Sequence, residues 1–142
     1  MMISTKGRYA LRVMIDLTEH NTDAYIPLKD IAERQEISQK YLESIMTVLS
    51  KAGFVDALHG KGGGYRLNRS PHEYTVGSVL KLTEGTLAPV SCLENGHTTC
   101  SRAATCRTLP MWSELNQLID NYLEGITMQD LAKTSPTGDY CI

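Results

Sequence analysis

The sequence lacks any apolar run approaching the roughly 18 residues that cross a bilayer, so a transmembrane helix is excluded. Its opening, "MMISTKGRYALRVM", has no sustained apolar stretch and no small-residue cleavage site, so no secretion signal is expected. The expected location is therefore the cytoplasm, away from membranes, where thiols stay reduced and a structural disulfide is disfavoured. Missing too are the paired C-x2-4-C knuckles of zinc sites and the C-x-x-C of thioredoxin-like centres. No H-E-x-x-H, paired-carboxylate signature or Cys–His nucleophile pattern occurs. A small thiol or metal-dependent enzyme is left without a motif, and the expected class is non-enzymatic.

What is present suits one compact soluble domain, or a small domain with an appendage: 142 residues, 42% hydrophobic and 21% charged. The formal net charge is -2, but it is unevenly spread. Residues 1–70 carry ten Lys and Arg against eight Asp and Glu, a local charge of about +2. Residues 71–142 carry four against eight, about -4. The positive half is where a nucleic-acid partner would dock, provided that its elements match such a role.

They do. Residues 4–19 begin with Ser4 and Thr5, good N-cap types, and Ala10, Val13, Met14 and Leu17 recur at helical spacing. Leu11 and Ile15 broaden that stripe. After a polar turn and the extended "YIP", a short helix "LKDIAERQ" puts Leu28, Ile31 and Ala32 on one face. Ser38 then caps "QKYLESIMTVLSKAG", which buries Leu42, Ile45, Met46 and Leu49 and stops at Gly53. Two short helices across a tight turn form a helix-turn-helix, although Glu36 stands where such turns often carry Gly. The outer face of the second helix offers Gln39, Lys40, Glu43, Ser44, Thr47 and Lys51, the polar groups that major-groove readout requires.

The next stretch, "GFVDALHGKGGGYRLNRSP", reads as a β-hairpin with a glycine-laden tip. Gly60, Gly62, Gly63 and Gly64 allow unusual backbone angles and remove bulk, so the tip suits a narrow groove. His59, Lys61, Arg66 and Arg69 set positive or protonatable groups around it, suited to phosphates. "GKGGG" opens no helix, so a P-loop is excluded. A helix-turn-helix followed by a basic hairpin is a winged helix.

In the second half, "TVGSVLKLTEG" forms a short helix through Val76, Val79, Leu80 and Leu82. Farther on, Trp112, Leu115, Ile119, Tyr122 and Ile126 fall at intervals of 3, 4, 3 and 4, widened by Leu118 and Leu123. A domain this small leaves part of that stripe uncovered, and a second copy would cover it. A homodimer also matches two recognition helices to a palindromic site. Between the helices, "SCLENGHTTCSRAATC" spaces Cys92, Cys100 and Cys106 as C-x7-C-x5-C. Spacing leaves three readings open: an iron–sulfur cluster, a thiol redox switch, or incidental cysteines. A cluster's fourth ligand would come from Glu94, His97 or the remote Cys141.

"STKGRYALR", "LKDIAERQEISQKYLE", "KGGGYRL" and "LAPVSCL" closely resemble bacterial winged-helix regulators of the IscR, NsrR and CymR type, the Rrf family. The resemblance runs from about residue 2 to residue 132. It implies a homodimer that binds palindromic operator DNA and mostly represses transcription. In the cluster-binding branch it implies a [2Fe-2S] or [4Fe-4S] cluster on Cys92, Cys100 and Cys106, sensing iron–sulfur, redox or nitric-oxide status. Gln39, Lys40 and Tyr41 take the DNA-facing start of the recognition helix, and Glu43 a position linked to site discrimination. The full expected DNA-binding set is Ser38, Gln39, Lys40, Tyr41, Glu43, Ser44, His59, Lys61, Gly62, Gly63 and Tyr65.

The sequence departs from the family at three places. Members of the IscR type have a shorter first cysteine gap and a His three residues past the last cysteine, where Leu109 stands here. Members of the NsrR type use a first-helix carboxylate, where Arg8 stands here. The fourth ligand and the cluster type are therefore unassigned. His59 replaces the Arg common at the wing's base, which would add a pH dependence to DNA affinity. The alternative branch lacks the cysteine triad and represses cysteine metabolism through a partner enzyme.

The expected fold is mainly α with a small β-hairpin wing: a winged helix-turn-helix plus a long C-terminal dimerisation helix. Its divisions are a DNA-binding domain over 1–72, a linker helix, cysteine loop and dimerisation helix over 73–133, and a flexible tail over 134–142.

Overall fold

Ser4 accepts a hydrogen bond from the Gly7 N–H at 3.0 Å and opens helix α1 (Thr5–Glu19). Ala10, Val13, Met14 and Leu17 follow the helical period and are at most 1% exposed. Residues 2–94 and 100–133 are described in this computed structural model, so the tail, His97 and Cys141 lie outside the described residues. Helices α2 (Leu28–Gln35) and α3 (Gln39–Lys51) follow, with Glu36 between them at φ 54°, ψ 44°. This left-handed conformation costs a residue with a Cβ about 1 kcal/mol. Ile37, just after it, is buried in the hydrophobic core. The α3 face of Leu42, Ile45, Met46 and Leu49 is wholly buried.

The hairpin pairs β1 (Val55–Leu58) with β2 (Gly64–Leu67) antiparallel, with Val55 opposite Leu67 and Leu58 opposite Gly64. Ile26 adds a third pairing: its N–H reaches the Tyr65 carbonyl at 2.8 Å and its carbonyl accepts from Tyr65 at 2.9 Å. Gly64 makes this possible, because a Cβ there would run into the Ile26 carbonyl. Tyr74 is fully buried behind the hairpin; its hydroxyl donates to the Phe54 carbonyl at 2.8 Å and accepts from the Asn68 N–H at 3.1 Å.

Helices α4 (Val76–Glu84), α5 (Leu109–Glu124) and α6 (Met128–Ala132) follow among the described residues. Both α4 and α6 pack on α1, and Met128 is fully buried in the same core as Leu17 and Leu42. Ile126 was expected on the α5 stripe. Instead α5 ends at Glu124, and Ile126 lies in the following turn against the core, its carbonyl accepting from Val76 at 2.8 Å. Among the described residues the architecture is mainly helical with one hairpin, a winged helix-turn-helix, as the pattern implied. No helix among the described residues is long and apolar enough to cross a membrane.

Among the described residues, one charged side chain is buried against this core. Asp16 is 1% exposed, and its carboxylate accepts from Arg34 at 3.0 and 2.8 Å and from Gln35 at 2.9 Å. Arg12 completes the tie by donating to the side chain and backbone carbonyl of Gln35. Asp16→Ala removes the acceptor of three bonds and leaves a partly buried guanidinium, which should cost about 2–4 kcal/mol. Urea unfolding reads this as a lower midpoint; a loss below about 0.5 kcal/mol, the size of an ordinary surface change, would show that the carboxylate does not hold α2.

Candidate nucleic-acid interface and cysteine loop

A groove of about 590 Å³ runs between α3 and the hairpin. Gln39, Glu43 and Thr47 line it from α3, and His59, Gly63 and Tyr65 from the wing. The first four of these are exposed, so their polar ends are available to a partner. Lys40, Lys61 and Gly62 lie just outside the groove, Lys40 and Lys61 exposed. Three other expected contact residues have internal tasks. The Ser38 hydroxyl caps α3, accepting from the Tyr41 N–H at 3.1 Å. The Ser44 hydroxyl turns back onto the Tyr41 carbonyl at 2.8 Å. The Tyr41 ring meets Tyr9 edge-on at 5.6 Å, with Arg12 over the Tyr9 ring at 5.1 Å, which links α3 to α1.

Two arginines depart from the expectation. Arg66 lies on the opposite face of the hairpin, over the Tyr25 ring at 4.4 Å, donating to the Asp23 carbonyl at 2.8 Å. Arg69 covers Phe54 at 4.9 Å and donates to the Gly53 carbonyl at 3.1 Å. Neither surrounds the wing tip. β2 alternation explains Arg66: with Tyr65 toward the groove, the next side chain must point away. Lining residues that sequence reasoning missed are Lys29, in the first turn of α2, and Leu58, 45% exposed at the end of β1. The packing of α2 and β1 beside α3 puts them on one groove, which no local pattern in the sequence displays.

The three cysteines all precede α5. Cys92 is half-buried in a 3-10 turn, Ser91–Leu93, which the buried Leu93 anchors. Cys100 is exposed, and the Arg102 N–H points at its sulfur from 3.5 Å. The Cys106 Sγ lies 3.4 Å from the Thr108 hydroxyl. Bonds from the Thr108 side chain, then from the backbone N–H groups of Thr108 and Leu109, together with the charge of Arg102, hold its thiol below the ordinary range. By kind, this donor set of thiols suits a soft iron–sulfur centre. By position it is not assembled: among the described residues no three His, Cys, Asp or Glu side chains converge on a metal site. Glu94 is exposed beside Leu93.

On α5, Asp120 and Glu124 are fastened to α4. Lys81 reaches them at 2.6 and 3.0 Å, and the Thr75 hydroxyl bonds Glu124 at 2.8 Å. The rest of the helix has no fully buried residue. Met111, Leu115, Leu118 and Tyr122 are exposed, Leu118 by 59%.

Residues 3–134 match the Rrf2 family, described as iron-dependent transcriptional regulators. The chain belongs to the Rrf2 family. Among curated relatives, the IscR transcriptional regulator of Aliivibrio salmonicida is 38% identical over 131 residues, which is 92% of this chain and 77% of that one. IscR of Vibrio campbellii is 37% identical over 133 residues, 94% of this chain and 78% of the relative. Among solved structures, CymR, the global cysteine regulator of B. subtilis, superposes with a TM-score of 0.78 at 32% identity, covering 95% and 98% of the two chains. T. potens IscR superposes at 0.71 with 34% identity, covering 94% and 87%. This Rrf2 protein is thus a DNA-binding transcriptional regulator, not an enzyme.

Its Cys106 thiol should ionise below the ordinary thiol value of about 8.5. The acid form loses its proton early, so alkylation by iodoacetamide should reach its half-maximal rate below that pH and stay fast above it. Mass spectrometry of Cys106 across a pH series checks this. Thr108→Val should move the midpoint upward, and an unmoved midpoint would deny the hydroxyl its role.

Proposed function

We propose that this Rrf2 regulator acts as a homodimeric repressor that reads a palindromic operator with α3 and the wing. In this reading its operator affinity responds to an iron–sulfur cluster, [2Fe-2S] or [4Fe-4S], held by Cys92, Cys100 and Cys106. The carrying observation is the placement of three thiols on one segment between α4, which packs on α1, and α5. Such a cluster supplies an iron-dependent centre with a redox potential tuned by its surroundings. Cys92 and Cys106 bracket the connection, so fastening them would fix α5 relative to α4. In the groove, Gln39 suits an adenine edge and the Glu43 carboxylate suits the amino group of cytosine, while Ser38, Lys40, Tyr41 and Ser44 belong to the same helix and its cap. His59, Lys61, Gly62, Gly63 and Tyr65 would take the wing's side of the duplex.

A second reading has its own observation. The described thiols are not gathered, and the fold superposes well on the cysteine regulator CymR. A cluster-free repressor of sulfur metabolism, responding to thiol oxidation or to a partner enzyme, fits both facts.

Anaerobic purification separates the two. The first reading expects iron, acid-labile sulfide and visible charge-transfer absorption, each lost in Cys92→Ala, Cys100→Ala and Cys106→Ala. Protein without iron or sulfide, whose operator binding changes on thiol oxidation, would establish the second. The dimer has a separate check. Leu118→Glu should convert the chain to a monomer in sedimentation and weaken operator binding, whereas an unchanged dimer would remove α5 from the interface.

A further inference from the structure

The α3–wing groove has a charge arrangement that its sequence motif does not account for. Glu43 brings a carboxylate into it, and DNA phosphates are negative as well. The arginines expected around the wing tip, Arg66 and Arg69, are engaged on the other side of the hairpin. Among the groove's lining residues, Lys29 is the one Lys or Arg. It is exposed, and it has no ion-pair partner among the described residues, Glu43 included. It also comes from neither the recognition helix nor the wing, so it meets a bound duplex from a third direction.

We propose that Lys29 is a backbone anchor: its ammonium takes a DNA phosphate at the edge of the groove and sets how α3 enters it. The proposal rests on the groove being the DNA interface. A phosphate contact carries no base information, so Lys29 would position the duplex while Gln39 and Glu43 discriminate. Its fixed charge also makes up for the wing base, where His59 is the groove's other basic side chain.

The test uses a duplex selected by the full-length protein from a random pool, and a scrambled duplex of equal length. Lys29→Ala should weaken binding to both by the same factor, roughly three- to tenfold near physiological salt. The slope of log affinity against log salt should become shallower by about 0.9 for each phosphate that the variant no longer neutralises. Lys29→Arg should restore both values. A Lys29→Ala defect confined to the selected duplex would mean base reading and would overturn the proposal. So would unchanged affinity and slope. If the groove itself were misassigned, Gln39→Ala and Glu43→Ala would also leave the selected site bound as before, which distinguishes that failure from a failure of Lys29 alone.

Discussion

The Asp16 carboxylate is the constraint on which the recognition surface depends. A carboxylate at 1% exposure must be paired, because leaving a charge unpaired in the interior costs several kcal/mol. Its partners, Arg34 and Gln35, are both at the end of α2, immediately before the left-handed Glu36 turn that aims α3. Apolar burial along Leu42, Ile45, Met46 and Leu49 contributes more free energy, at about 25 cal/mol per Å². It is non-directional, though, and tolerates a helix that slides or rolls. Hydrogen bonds weaken steeply below about 120° and so specify orientation. Packing holds α3 on the domain, the Asp16 cluster sets the end of α2 that leads into it, and Tyr9 against Tyr41 fixes its roll.

A second device recurs along α4. Ser4 donates to Glu84 from its backbone at 3.0 Å and its hydroxyl at 2.6 Å, and Gly7 leaves the room that this glutamate occupies. On α4 itself, Gly77 leaves room for Glu124 of α5, which Thr75 and Lys81 hold. In both places a glycine on one helix face admits a glutamate from the neighbouring helix. The start of α1, the whole of α4 and the end of α5 thereby form one polar-fastened unit. The segment carrying the cysteines follows α4 in sequence and leads into the start of α5 at Leu109, while the end of α5 is the part fastened to α4.

Much of this was legible in the residues. Ser4 and Ser38 were readable as caps, the four buried positions of α3 followed from period, and Glu36 occupies the left-handed turn where its motif position put it. These features are local, and local sterics and hydrogen bonding determine them. What was not legible depends on which elements meet. The extended "YIP" becomes a third pairing partner only because Gly64 lets Ile26 approach. Ile126 fits the α5 period, yet the chain turns at Gly125 to bond Val76. The arginines of the hairpin have a visible charge but no visible direction until strand register assigns Tyr65 and Arg66 to opposite faces. The cysteine triad is legible as a donor set, whereas its assembly depends on a loop path that spacing does not encode.

The redirected arginines also change how recognition must be divided. A wing ringed by four basic groups would bind any duplex through phosphate charge, with little left for sequence. Here Arg66 and Arg69 are consumed in cation–π and carbonyl contacts that stiffen the hairpin base. The exposed cations beside the groove are lysines, Lys29, Lys40 and Lys61, which are compact, strongly hydrated and unable to form a bidentate fork. Fewer and weaker backbone contacts lower non-specific affinity more than specific affinity, since phosphate charge supplies nearly all of the former. On the proposed interface, discrimination would fall to the neutral amide of Gln39 and the carboxylate of Glu43, which phosphate repels and a base-edge donor satisfies. On that proposed interface, a protein with net charge -2 would gain DNA selectivity by withholding charge from the backbone and placing its polar readout on a helix whose mount is fixed from inside the core.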